Sequence, residues 1–93
     1  MRVRVHFAAQ LRTAVGRSLE NVELAAGSTV AALVEQLAAQ LDGAAPHLVA
    51  PSGQPHRSLI IVVNNSAVCS SRLATTELAA GDVVILLPPI AGG

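Results

Sequence analysis

Residues 28–41 of the chain read STVAALVEQLAAQL, and the spacing of their apolar side chains is that of an amphipathic α-helix. Ser28 or Thr29 supplies the side-chain oxygen that an N-cap requires, and Gly43 stands where a glycine C-cap is expected. The apolar stripe consists of Val30, Leu33, Val34, Leu37, Ala38 and Leu41. The opposite face is polar and carries Glu35, Gln36 and Gln40. We therefore expect this helix to cover one face of a β-sheet.

The sequence before this helix predicts two strands. From Arg2 to Phe7, polar and apolar residues alternate, which is typical of a strand with one buried face, and Phe7 is assigned to the core. Residues 8–15 favour a helical turn that ends at Gly16. Residues 18–24 alternate less regularly and predict the second strand.

The sequence after the helix predicts a long loop and three more strands. Residues 42–57 contain Pro46, Pro51 and Pro55, which favour a loop, with one short turn near residues 47–50. Residues 59–63 predict a strand that is buried on both faces or nearly so. Asn64-Asn65 indicates a turn into a short returning strand at residues 67–69. A brief helix or turn at residues 73–80 then precedes the last strand, at residues 83–87, which Pro88 ends.

This order of elements, β-β-α-β-β-β, predicts the fold class. It is an α+β arrangement of the β-grasp type, in which one main helix covers one face of a mixed sheet. We expect the last strand to lie parallel to the first in the centre of the sheet. The domain then spans residues 1–87, and residues 88–93 form a flexible tail that projects from the end of the sheet.

Composition limits the functions that this domain could have. The chain has 93 residues and a formal net charge of zero, which argues against an electrostatic nucleic-acid binder. Its longest apolar runs are five residues, far short of the about 20 that span a bilayer, so we expect no membrane partner and a cytoplasmic location. No arrangement of side chains suggests nucleophilic or acid–base catalysis, so we expect no enzymatic activity from this chain itself.

Metal and thiol chemistry are also disfavoured by the sequence. His6, His47 and His56 are scattered along the chain, and we expect no metal site. Cys69 is the only cysteine, so it has no partner for an internal disulfide. We expect its side chain to be a small buried or half-buried apolar group rather than a reactive thiol.

The last six residues carry the strongest functional signal. Gly92-Gly93 follows the stiff pair Pro88-Pro89, and a glycine pair has no Cβ atoms to keep it out of a narrow tunnel. A terminal carboxylate presented in this way suits activation in the active site of another enzyme. Ile90 and Ala91 complete the tail, and Ile90 is expected to pack against the wall of such a tunnel.

Several stretches together resemble the ubiquitin-like sulfur-carrier family, which includes the small subunit of molybdopterin synthase and the carrier of the thiamine pathway. They are residues 7–12 (FAAQLR), 28–30 (STV), 62–65 (VVNN) and, most specifically, 81–93 (GDVVILLPPIAGG). The Pro-Pro ending is more similar to the molybdopterin synthase subunit than to the thiamine carrier. The long loop at residues 44–57 is instead similar to carriers that feed sulfur to cysteine synthesis.

The resemblance implies a function and a set of partners. An ubiquitin-activating-like adenylyltransferase adenylates the Gly93 carboxylate with ATP, and sulfur then displaces AMP to leave a C-terminal thiocarboxylate. That terminus donates sulfur to an acceptor enzyme, expected to be the large subunit of molybdopterin synthase or an equivalent, and the chain itself binds no cofactor. Sulfur supply for cysteine, thiamine or tRNA thiolation is one alternative. The other alternative is an ubiquitin-like modifier conjugated to proteins through Gly93.

The last strand also predicts a docking surface. Residues 83–87 are all apolar, yet a sheet with one covering helix buries only alternate residues. We assign Val84 and Leu86 to the core, which leaves Ile85 and Leu87 on the uncovered face. Either Ile60 or Ile61 on the neighbouring strand should extend this patch. Because monomers rarely expose a contiguous apolar surface without a use for it, Ile85 and Leu87 are predicted to bind the partners.

Overall fold

The computed structural model describes residues 1–41, 45–56 and 59–87, with the side chains of Gln10 and His47 excepted. It confirms the predicted fold class: a β-grasp domain with a five-stranded mixed sheet and one main helix. The strands, in chain order, are β1 (Arg2–Phe7), β2 (Leu19–Glu23), β3 (Ile60–Val63), β4 (Ser66–Val68) and β5 (Val83–Leu87). The helices are α1 (Gln10–Val15), α2 (Val30–Gln40), α3 (Ala45–Leu48) and a 3-10 helix (Ser70–Arg72).

The first and last strands occupy the centre of the sheet. The spatial order is β2-β1-β5-β3-β4, in which β5 runs parallel to β1 and antiparallel to β3. Val5 lies opposite Val84 on β5, and Ile61 of β3 lies opposite Leu86. All four side chains are at most 1% exposed, so these central pairs form the part of the core that the sheet contributes.

Helix α2 begins at a hydrogen-bonded cap. The Thr29 Oγ1 atom accepts a hydrogen bond of 3.2 Å from the Ala32 amide, which satisfies one of the free amides of the first turn. The Val30 and Ala31 amides donate to the Thr76 and Leu73 carbonyls, both at 2.9 Å. The buried residues of the helix are Val30, Ala31, Leu33, Val34 and Leu37. The predicted helix and its buried stripe are thus confirmed, apart from Ala38 and Leu41, which are only half-buried.

An asparagine turn ties the β3–β4 hairpin to the start of β5. Asn64 and Asn65 have φ values of 47° and 73°, in the left-handed region that tight hairpin turns require. The Asn64 side chain donates to Asp82 Oδ1 and accepts from the Val83 amide, each at 2.9 Å. This clamp fixes the register of β3 against β5.

Two local predictions from the sequence are wrong, and a third is confirmed with shifted bounds. Helix α2 ends at Gln40 with Leu41 as its C-cap, so Gly43, which lies outside the described residues, is not the cap. Strand β3 is not buried on both faces, because its Ile60 side chain is 44% exposed while Ile61 is buried. The short turn expected near residues 47–50 of the long loop is present as α3, two residues earlier, and it buries Leu48 fully in the core.

Candidate functional site

The candidate site lies on the face of the sheet that faces away from α2, which we call the open face. Burial alternates along β5, where Val84 and Leu86 are fully buried and Ile85 and Leu87 are half-buried. The assignment of Val84 and Leu86 to the core is therefore confirmed. Helices α1, α2 and α3 contribute buried side chains such as Leu11, Leu33 and Leu48 to that same core, on the opposite side of the sheet.

Ile85 and Leu87 belong to a contiguous group of four side chains on neighbouring strands. In the register of β3 and β5, Ile60 lies opposite Leu87 and Val62 lies opposite Ile85. Directly opposed side chains on adjacent strands have Cβ atoms about 5 Å apart, so these two pairs touch. We call Ile60, Val62, Ile85 and Leu87 the apolar patch. Of the two isoleucines that the sequence offered, Ile60 extends the patch and Ile61 does not.

Sequence reasoning missed Val62 because β3 was expected to be buried on both faces. The signal that could have found it is the Asn64-Asn65 turn. A two-residue turn fixes which strand residues oppose each other, and alternation then places Ile60 and Val62 on one face. The run of four β-branched residues concealed that alternation.

The apolar patch lies where the chain leaves the sheet. Strand β5 ends at Leu87, the last described residue, so the patch reaches the point from which the tail continues. The predicted tail residues all follow this point and lie outside the described part of the chain. They are Pro88, Pro89, Ile90, Ala91, Gly92 and Gly93.

On its β2 side, the open face becomes more polar. His6 of β1 lies beside Ile85, and Leu19 of β2 lies beyond His6 and is 40% exposed. Arg4 occupies the next position of β1 on this face, between Asn21 and Val83. The open face thus combines an apolar half with a half in which charged and amide groups stand beside the apolar side chain of Leu19.

Cys69 corrects one prediction, because its side chain is exposed rather than buried or half-buried. The residue follows β4 in an extended conformation and precedes the 3-10 helix, where its side chain has no core to enter. Within the described ranges, no group of three or more His, Cys, Asp or Glu residues could hold a metal ion. A search of the same ranges for membrane-spanning helices finds none that is long and apolar enough.

Comparison with known proteins identifies the family. The sequence profile of the ThiS family matches residues 5–93, which is nearly the whole chain and includes the tail. The chain belongs to the ThiS family. Small proteins of the ThiS family are non-catalytic sulfur carriers that work with an adenylyltransferase and acceptor enzymes.

Individual relatives agree with this assignment to the ThiS family. The sulfur carrier protein CysO of Mycobacterium tuberculosis is 39% identical over 71 residues, covering 74% of this chain and 76% of CysO. A chain of the Amycolatopsis orientalis BexX/CysO complex is 30% identical, with a TM-score of 0.71 over 98% of this chain and 99% of that one. SAMP1 from Haloferax volcanii covers all of both chains with a TM-score of 0.87, and at 22% identity it shows the shared fold alone.

Proposed function

We propose that this protein carries sulfur as a thiocarboxylate on Gly93. The observation that supports the proposal is the family match through residue 93, which includes the glycine pair that ends the six-residue tail after the central strand β5. In the first step, a carboxylate oxygen attacks the α-phosphate of ATP, and pyrophosphate leaves. In the second step, hydrosulfide attacks the acyl carbon of the adenylate, and AMP leaves. Because these steps consume ATP, we place them in the cytoplasm.

The tail sequence suits this chemistry for a steric reason. Gly92 and Gly93 have no side chains, so the acyl carbon can enter an active site too narrow for other residues. Pro88 and Pro89 restrict the backbone before the glycines and favour an extended segment. We propose that Ile90 and Ala91 contact the wall of the partner's tunnel.

We propose that the apolar patch docks the adenylyltransferase and the acceptor enzyme. Ile85 and Leu87 lie on the same strand that leads into the tail, so a partner bound there is next to the exit of the reactive end. The exposure of Ile60, at 44%, adds apolar area that a partner can bury. Docking and chemistry are then linked by a tail of six residues.

The sulfur acceptor that we propose is an enzyme of cysteine synthesis. The curated relatives at 39% identity are CysO proteins, whose name points to cysteine. The long segment at residues 44–57 resembles that of carriers that feed sulfur to cysteine synthesis. The molybdopterin synthase large subunit, which the sequence favoured, remains the second candidate. Its support is the Pro-Pro-aliphatic-small-Gly-Gly ending.

The terminus is tested with the adenylyltransferase of the native organism, ATP and sulfide. We expect intact-protein mass spectrometry to show one oxygen replaced by sulfur, and a Gly93 deletion to abolish both the AMP adduct and this mass change. Circular dichroism of the deleted protein should match that of the full chain. An AMP adduct on the Gly93-deleted protein would contradict the proposal. Branched peptides on other proteins, without thiocarboxylate, would instead indicate a modifier.

The acceptor is tested by giving the thiocarboxylate form to two enzymes in parallel. We expect a cysteine synthase supplied with an O-activated serine to join the thiocarboxylate sulfur to the serine β-carbon, with loss of the activating group. The resulting carrier–cysteine adduct releases cysteine and the Gly93 carboxylate when a metalloprotease hydrolyses it, whereas the large subunit of molybdopterin synthase leaves the carrier unchanged. Sulfur transfer only to the molybdopterin synthase subunit would assign the second candidate. The Gly93-deleted protein is the control in both reactions.

The docking proposal is tested by two substitutions on adjacent residues of β5. Leu87→Asp should weaken binding to the adenylyltransferase by about 2 kcal/mol or more, as expected for a buried anchor, with little loss of folding stability. Leu86→Asp buries a charge in the core and should unfold the domain. If Leu87→Asp destabilises the fold and leaves binding unchanged, Leu87 does not serve as an anchor.

A further inference from the structure

Arg4 is an exposed cation on the open face without an anionic partner in the described part of the chain. Two other arginines are paired: Arg2 Nε lies 2.8 Å from Glu23 Oε1, and Arg17, at the other end of β2, pairs with Glu20. Glu23 is the carboxylate next to Arg4 on this face. Its second oxygen lies 4.0 Å from the N-terminal ammonium group, so both of its oxygens face other cations.

The register places Arg4 close to the apolar patch. Arg4 lies opposite Val83 on β5, and the next residue of β5 on the open face is Ile85. Adjacent strands are about 4.8 Å apart, and residues i and i+2 of a strand are about 6.7 Å apart, so the Cα atoms of Arg4 and Ile85 are about 8 Å apart. The guanidinium side chain can span much of this distance.

A partner that covers the apolar patch therefore also covers Arg4. A standard protein interface buries about 800 Å² on each partner, which corresponds to a disc about 16 Å in radius. Centred on Ile85, such a disc contains Arg4. Removing an arginine from water without an acceptor is costly, whereas a carboxylate accepts two parallel hydrogen bonds from the guanidinium group.

We propose that the protein partner that binds the open face presents an aspartate or glutamate to Arg4. The proposal rests on the proposed function, because it takes the adenylyltransferase to be the partner that binds the apolar patch. Binding at the patch and at Arg4 makes two separated contacts, one apolar and one ionic. Two contacts fix the rotation of the domain on its partner and so direct the tail toward one side of the complex.

A second copy of this chain does not supply the free carboxylate that Arg4 requires. In a symmetric dimer formed through the open face, each Arg4 meets only residues that the same face carries. The described carboxylate of that face is Glu23, which already contacts Arg2 and the N-terminus. A different protein with a free carboxylate satisfies Arg4, and a symmetric copy does not.

The test measures the dissociation constant for the adenylyltransferase with wild type, Arg4→Gln, Arg4→Glu and Arg72→Glu. Arg72 is the matched control, because it is an exposed arginine in the 3-10 helix and its replacement changes the net charge equally. At low salt we expect Arg4→Gln to weaken binding about 5-fold, Arg4→Glu about 30-fold or more, and Arg72→Glu less than about 2-fold. At about 0.5 M salt the Arg4 effects should shrink, because the Debye length falls to a few ångström.

The outcomes separate this inference from the proposed function. If wild type gains no AMP adduct, the proposed function fails. If wild type is adenylated but Arg4→Glu and Arg72→Glu bind equally well, the inference alone is overturned. A wild-type dimer in sedimentation that Arg4→Glu dissociates would also overturn it, since the face would then bind a second copy. If Arg4→Glu lowers the thermal midpoint of the domain, the comparison uses Arg4→Gln, which removes the charge without reversing it.

Discussion

Replacing Leu37 with Ala should lower the free energy of unfolding by about 2–5 kcal/mol. Leu37 is fully buried in the middle of α2, where it packs within the single core of the domain. The substitution removes three carbon atoms, worth about 0.8 kcal/mol each and about 2.4 kcal/mol together, and the remaining cavity adds to this loss. A domain of 93 residues has a free energy of unfolding of about 5–14 kcal/mol, so most of the protein should still fold at room temperature.

The assay is a urea titration, with two control variants on the same helix. For a slope of about 1 kcal/mol/M, the midpoint of Leu37→Ala should fall by about 2–3 M or more. Gln40→Ala, on the exposed face, should change stability by less than about 0.5 kcal/mol. Gln36→Ala should lie between them, at about 0.5–1.5 kcal/mol, because the Gln36 side chain donates a 3.0 Å hydrogen bond to the Glu23 carbonyl. Equal midpoints for Leu37→Ala and Gln40→Ala would refute the assignment of the buried face.

Three further substitutions or reactions probe local features. Thr29→Ala should cost about 1 kcal/mol in a urea titration, because it removes the α2 N-cap, while Thr29→Ser keeps the oxygen and should cost less; equal losses would show that the cap contributes nothing. Exposed Cys69 should react with a thiol reagent in the native protein about as fast as in urea, and strong protection would contradict its exposure. Ala9 has φ 52° and ψ −125°, a conformation that costs an alanine about 1–3 kcal/mol. Ala9→Gly should therefore raise the thermal midpoint, and a lower midpoint would argue against strain at this residue.

Periodic patterns predicted the global fold because each pattern indicated both the type of element and the face that it buries. The alternation of Arg2–Phe7 and the helical spacing of residues 30–37 each leave one face apolar, and packing the helix on the sheet buries both faces together. The five apolar residues of β5 were placed correctly because the single covering helix allowed only alternate positions to be buried.

The errors arose where several physical explanations fit the same residues. Four β-branched residues in a row, at Ile60–Val63, fit burial on both faces as well as on one, and tertiary contacts decide between the two. Prolines in residues 42–57 indicated a loop, yet Pro46 is compatible with the first turn of α3. The lack of an anionic partner for Arg4 in the described part of the chain was not visible either, since the partners of Arg2 and Arg17 depend on strand register and loop geometry.

The parallel pairing of β1 with β5 has a consequence for how the chain folds. Val5 and Val84 are about 80 residues apart in sequence, and closing a loop of that length costs about 4 kcal/mol in chain entropy by a logarithmic estimate. Long-range pairing of this kind slows folding, and during synthesis the centre of the sheet cannot form before β5 is made. A chain interrupted before residue 83 therefore lacks both its central strand and the residues that form half of the apolar patch. Proteases and chaperones would meet such a chain as an unfolded polypeptide, and the partners would find no surface to bind.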